Sequence, residues 1–183
     1  MERKESRSPP AGGPTKEEIL AIVLGKLGLQ PDDTFADLGC GTGRVSLEAA
    51  GRVHAVYAVD RREEACEWTR RQAAEAGARN ISVHHGENAA FLSTLPRLDA
   101  AFVGGSQGIE EVISRLSVLN VRTVVINAVM LETAHRAVSA LRDRGMFREV
   151  IMANIAKSHQ IGSGIMFRPL DPVYIICGGR DGC

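Results

Sequence analysis

The sequence predicts a single α/β domain built on a mostly parallel sheet, with helices on both faces and an antiparallel last strand. Three observations predict it. Short β-branched and apolar runs alternate with stretches of helical period, the pattern of a parallel sheet. The first run, Thr34-Phe35-Ala36, ends in the glycine-rich turn Asp37-Leu38-Gly39-Cys40-Gly41-Thr42-Gly43 and opens onto a helical segment at 44–50. The last two runs, 147–155 and 172–177, have no helical segment between them, so a strand–loop–strand unit returns the last strand antiparallel.

A chain of 183 residues suits one domain, and 44% hydrophobic residues supply a core that must rely on aliphatic packing, since only 4% are aromatic. Residues 1–13 read as a flexible tail: Met1–Ser8 is charged and lacks the apolar centre of a secretion signal, and Pro9-Pro10-Ala11-Gly12-Gly13-Pro14 follows. The domain is expected over 14–183. Thr15-Lys16-Glu17-Glu18 reads as a capping box ahead of an apolar helical face, with Gly28 as its stop.

The run 53–60 is a second strand, buried on both faces, followed by a helix over 63–76 that Gly77 ends. A short third strand is expected at 81–84. A fourth at 98–103 ends in Gly104-Gly105-Ser106. A helix at 109–119, a valine-rich strand at 121–127 and a helix at 132–144 complete the alternation. The segment 156–169 reads as a long loop that Gly162-Ser163-Gly164 makes mobile enough to be a lid.

Composition narrows the function. The formal net charge of +0 argues against a dedicated nucleic-acid binder. No apolar run approaches the roughly 20 residues of a membrane span. Cys40, Cys66, Cys177 and Cys183 show no C-x-x-C spacing, so no metal site is expected and a reduced, cytoplasmic setting fits.

A strand that runs through a glycine-rich turn into a helix is a nucleotide-binding device, because glycine lets backbone approach a ligand and the helix start offers unpaired N–H groups. A dinucleotide fingerprint needs G-x-G-x-x-G, but here the third glycine comes one residue early, at Gly43. Asp60, at the end of the second strand, lies near the spacing of roughly 20 residues at which a carboxylate takes both ribose hydroxyls. The alternative for Asp60 is a cap on the following helix.

The segment Asp37-x-Gly39-x-Gly41-x-Gly43 resembles the first motif of the class I S-adenosylmethionine methyltransferases. The resemblance implies S-adenosylmethionine (SAM) as cofactor, with Asp37 at its methionine end, and a seven-stranded Rossmann-like sheet of order 3-2-1-4-5-7-6. An Asn/Asp-Pro-Pro-Tyr/Phe motif after the fourth strand, as in the amino-methylating enzymes of adenine and cytosine, is replaced here by Gly104-Gly105-Ser106-Gln107-Gly108. That element, with Pro14–Glu18, 53–61, 128–133, 153–157 and 171–176, resembles the decarboxylating C15-methyltransferases of cobalamin biosynthesis. These act on a precorrin or cobalt-precorrin of the 6B stage.

Further expectations follow from this resemblance. The cofactor set extends to Thr15, Gly104 and, near adenine, Glu87, Asn88 and Ala89, where the family usually has Gly-Asp-Ala and this chain has Gly86-Glu87-Asn88-Ala89. Asn127-Ala128 stands where the family often has Thr-Ala. The substrate carries many carboxylates, for which Lys16, Lys157, His159 and Arg168 are candidates, or else solvated surface charges. Gly105 leaves room for the ring. Ser106 and Glu132 are the catalytic candidates, Glu132 being equally a first-turn acid of its helix.

The tetrapyrrole itself can take the electrons of decarboxylation, so no metal is required. The implied assembly is a homotetramer, alongside a separate or fused C5-methyltransferase. Two other readings stay open: an RNA methyltransferase of the N1-adenine type and a non-catalytic SAM-binding subunit.

Overall fold

The computed structural model describes residues 10 and 15–180. The tail expected over 1–13 therefore lies, except for Pro10, outside the described residues. Helix α1 (Glu17–Leu27) precedes strand β1 (Thr34–Leu38), then α2 (Arg44–Ala50), β2 (Ala55–Asp60), α3 (Glu63–Glu75) and β3 (Ile81–His85). Next come α4 (Asn88–Leu92), β4 (Ala100–Val103), α5 (Ile109–Val118), β5 (Thr123–Ala128), α6 (Leu131–Arg142) and β6 (Phe147–Ala153). Strands β7 (Ala156–Ile161), β8 (Gly164–Pro169) and β9 (Val173–Gly178) close the chain.

The main sheet has seven strands in the order β3-β2-β1-β4-β5-β9-β6. Counted within that sheet, β9 is the seventh strand, so the order is the 3-2-1-4-5-7-6 that the resemblance implied. β9 runs antiparallel between β5 and β6, while β1 to β5 pair in parallel.

Both faces of the sheet are covered, which is why its strands read as continuous apolar runs. Alternate residues feed two cores. Phe35, Val125, Ile175 and Cys177 pack with α1 and α2. Ala36, Leu38, Val124, Ile126 and Ile176 pack with α4, α5 and α6 on the other side. The period of two therefore turns Asp37 toward α2.

Three elements differ from expectation. The Thr15 capping box does not form: α1 starts at Glu17 behind Lys16, with no side-chain cap, and Glu18 is drawn instead to Lys157 at 2.6 Å. A salt bridge to a cation outcompetes the reach back to a backbone N–H. The short helix α4 falls where no element was expected, since five residues are too few to show a period.

The expected loop at 156–169 is a β-hairpin, a second sheet of two strands with Lys157 opposite Arg168 and Ile161 opposite Gly164. Gly162 and Ser163 form its two-residue turn, with Gly162 at φ 57, the conformation that tight hairpins demand.

Candidate active site

The carboxyl ends of β1, β2, β4 and β5 meet on one edge of the sheet, where an open α/β fold places its ligand. The turn after β1 is held from below: the N–H groups of Gly39 and Cys40 donate to the Val59 carbonyl at 2.8 and 2.9 Å, and that of Gly104 donates to Leu38 at 2.8 Å. These bonds press the β1 turn against the β4 turn. A Cβ on Gly39, whose φ is 82, would sit 2.9 Å from the Gly105 nitrogen. Gly43 serves packing: a Cβ there would lie 2.7 Å from Thr69 Cγ2 of α3. The Thr69 hydroxyl donates to the Gly41 carbonyl at 3.3 Å, so α3 braces the loop as well.

Asp37 sits beneath this turn, fully buried. Its Oδ2 accepts the Ser46 N–H at 2.9 Å and the Ser46 hydroxyl at 2.6 Å. Its Oδ1 is buried with no hydrogen-bond partner. Burial pushes this carboxyl up to about 6 from 3.8, against the opposing pull of Ser46. Between those values the folded protein keeps a proton that the unfolded chain has lost. Asp37 therefore contributes stability that is complete below about pH 4 and is lost as pH rises through about 6, at most about 3 kcal/mol.

Asp37→Asn removes this titration. Its stability relative to the parent should rise across that window, read from urea unfolding of both proteins at several pH values. Parallel curves would refute the assignment.

Asp60 is the other carboxylate of the site. Its Oδ1 accepts the Arg62 N–H at 3.0 Å and Arg62 Nε at 3.1 Å, and its Oδ2 accepts the Gly41 N–H at 2.9 Å and Arg62 Nη2 at 3.2 Å. Burial alone would raise this carboxyl, but the Arg62 and Gly41 donors outweigh it and hold Asp60 below the usual carboxylate range. Of the two expectations for Asp60, the helix cap does not form: Arg62 is the N-cap of α3, with no side-chain cap hydrogen bond, and Asp60 takes the Arg62 N–H ahead of the helix while bordering a cleft.

Two clefts open at this edge. The smaller, about 350 Å³, is bordered by Asp60, Glu87, Asn88, Gly104 and Gly105. The larger, about 610 Å³, lies within the size range of small-molecule sites and is bordered by Thr15, Lys16, Gly41 and Phe102 among others. They meet over Gly39, Gly104, Ser106 and Arg62, which line both.

The remaining expected residues lie elsewhere. Gly43 and Asp37 support the loop from beneath, and Ala89 sits in α4, bordering neither cleft. Glu132 is exposed on the first turn of α6, and its buried neighbour Thr133 borders the larger cleft in its place. Lys157, His159 and Arg168 belong to the hairpin and line neither cleft. The Lys157–Glu18 pair ties that hairpin to α1, next to Lys16.

Sequence reasoning missed Arg44, Arg62 and Asn127, all on the larger cleft. Asn127 Oδ1 is buried there without a partner. Its signal was visible as the departure from Thr-Ala. That of Arg62 was not, because nothing in the sequence says which way an arginine after a strand will turn.

Burial pushes the thiols of Cys40, Cys66 and Cys177 upward, so none is a poised nucleophile. Among the described residues no cluster of three or more His, Cys, Asp or Glu side chains is arranged to hold a metal ion, and no helix is long and apolar enough to cross a membrane.

Comparison with known proteins agrees with this geometry. The sequence profile of a family described as the precorrin methyltransferase domain matches residues 11–177. A Methanosarcina acetivorans protein named "Probable cobalt-precorrin-6B C(15)-methyltransferase (decarboxylating)" is 42% identical over 175 residues, covering 93% of this chain and 95% of that one. A solved precorrin-6y C5,15-methyltransferase from Geobacter metallireducens is 33% identical with a TM-score of 0.87 over 94% of each chain. A solved precorrin 8W decarboxylase from Methanobacterium thermoautotrophicum is 33% identical with a TM-score of 0.86, covering 91% of this chain and 92% of that one.

Proposed function

The chain belongs to the precorrin methyltransferase family, and from that premise we propose that it methylates C15 of a 6B-stage precorrin or cobalt-precorrin and releases the ring acetate carboxyl as CO₂, in cobalamin biosynthesis. The observation that carries this reading is the junction of the two clefts. A carboxylate-bearing cleft suited to a nucleoside opens across a glycine floor onto a larger one bordered by the cations Lys16, Arg44 and Arg62.

The residues present fit SAM. Asp60 offers a carboxylate to a ribose diol, and Glu87 and Asn88 border the same cleft. The buried, unpartnered Oδ1 of Asp37 supplies negative charge beneath the turn that the methionine ammonium would approach. SAM, when bound, supplies a methyl group already activated on a sulfonium.

The protein's part is orientation and exclusion of water. The glycines at 104 and 105 leave space for a flat ring above the floor. Lys16 and Arg44 hold its carboxylates. The acetate enters as the anion, its C–C bond breaks, and the electron pair passes into the conjugated ring until a proton arrives. Ser106, the hydroxyl bordering both clefts, is the proposed group for holding that proton. Glu132 takes no part in this scheme.

Methylation at C5 falls in this scheme to a C5-methyltransferase, separate or fused, and we assign the working form of this enzyme to a homotetramer in a cytoplasmic setting. Support for the assembly comes from the hairpin. Lys157 turns one face of β7 toward α1, so alternation turns Ile165 and Phe167, 71% and 68% exposed, away from the body.

The deciding experiment supplies a 6B-stage precorrin, with and without cobalt, together with SAM, and follows methyl gain and CO₂ loss by mass. Both changes on one product are expected. Methylated RNA with an untouched precorrin would instead select the N1-adenine reading, and binding of SAM without turnover the non-catalytic one. Methylation without CO₂ loss would remove the decarboxylase.

A further inference from the structure

Arg62 occupies the carboxylate that the cofactor needs. Each oxygen of Asp60 takes two donors, one from a backbone N–H and one from the Arg62 guanidinium. The backbone donors, Gly41 and Arg62 N–H, are fixed by the glycine turn and by the start of α3. The guanidinium donors ride on a side chain 33% exposed at the seam of the two clefts. Asp60 thus has two exchangeable positions, one on each oxygen. A vicinal diol brings two O–H donors.

We propose that the ribose diol displaces the Arg62 guanidinium from Asp60, and that the displaced guanidinium then binds a carboxylate of the acidic substrate in the larger cleft. The inference rests on the reading that the Asp60 cleft receives the nucleoside of SAM. Arg62 is a substrate-binding residue that Asp60 holds until the diol takes its place.

Two consequences follow. Trading a charge-assisted pair for two hydroxyl bonds is unfavourable by itself, so Arg62 weakens cofactor binding. The released cation makes a polycarboxylate bind better once the cofactor is in place, and by linkage the polycarboxylate tightens the cofactor equally. Binding of the two is therefore cooperative, whichever arrives first. A tetrapyrrole that arrives early meets an arginine already paired.

The test uses S-adenosylhomocysteine, which cannot transfer methyl, and uroporphyrin, a stable octacarboxylate ring. In the parent protein, saturating S-adenosylhomocysteine should raise uroporphyrin affinity at least about 5-fold, the lower end of ordinary coupling. Arg62→Met keeps the α3 entry and the side-chain stem. It should bind S-adenosylhomocysteine several-fold more tightly and show no coupling. Arg62→Lys, a cation without the two-pronged grip, should keep part of the coupling and so report on charge if the methionine variant misfolds.

Coupling unchanged in Arg62→Met, or weaker nucleoside binding in a folded Arg62→Met, overturns the exchange. Failure of the underlying reading looks different: S-adenosylhomocysteine would not bind the parent at all, or would bind Asp60→Ala equally well.

Discussion

Asp60→Ala should lower the affinity for SAM by roughly 30- to 700-fold, equivalent to about 2–4 kcal/mol. The two charge-assisted bonds proposed to the ribose would be lost together, and the Gly41 N–H, which donates to Asp60 at 2.9 Å, loses the acceptor that shapes the glycine turn. Arg62 is released by the same substitution, so its competition disappears and offsets part of the loss. Asp60→Asn separates charge from shape and should fall between the two proteins. Titration calorimetry with SAM reads the effect, and an affinity in Asp60→Ala matching that of the parent removes Asp60 from the cofactor site.

The second large effect is expected at Gly39. A Cβ there meets backbone, the Gly105 nitrogen at 2.9 Å and its Cα at 3.3 Å, so no side chain can step aside. The position also has φ 82, which L residues adopt at a cost. Gly39→Ala must therefore part the β1 and β4 turns. We expect about 2–4 kcal/mol of lost stability by urea unfolding and loss of cofactor binding by more than about 100-fold, since both clefts share this floor. Gly25→Ala on α1 is the matched control. Its added methyl meets nothing within 4 Å, and helix propensity alone should leave it neutral or slightly more stable. A Gly39→Ala protein that unfolds like Gly25→Ala would show that the two turns are not in firm contact.

The parallel sheet and its glycine turn were legible because their cause is local. Strands buried on both faces write themselves as β-branched runs, and a helix start beside a ligand needs glycine. Asp60 was legible for the same reason, as the last residue of such a run.

What escaped was decided by partners distant in sequence. Thr15 has the residues of a capping box, but Glu18 is claimed by Lys157, far along the chain. Glu132 and Thr133 are neighbours whose difference is a rotation about the helix, and packing of α6 on the sheet turned Thr133 inward. The hairpin was hidden by a choice between two meanings of one signal. Gly162-Ser163 marks flexibility in a loop and a tight turn between strands, and Ile161 on one side with Ile165 and Phe167 on the other favoured the turn.

That hairpin bears on how the protein holds together. A two-stranded ribbon has little stability of its own in water, and here its outward apolar side chains gain nothing while they stay wet. In the proposed homotetramer a second protomer would bury them. Part of the free energy of the native state would then be an association energy, and mass action would enter the melting curve: on that proposal the midpoint should climb with protein concentration, and dilution alone should work as a denaturant.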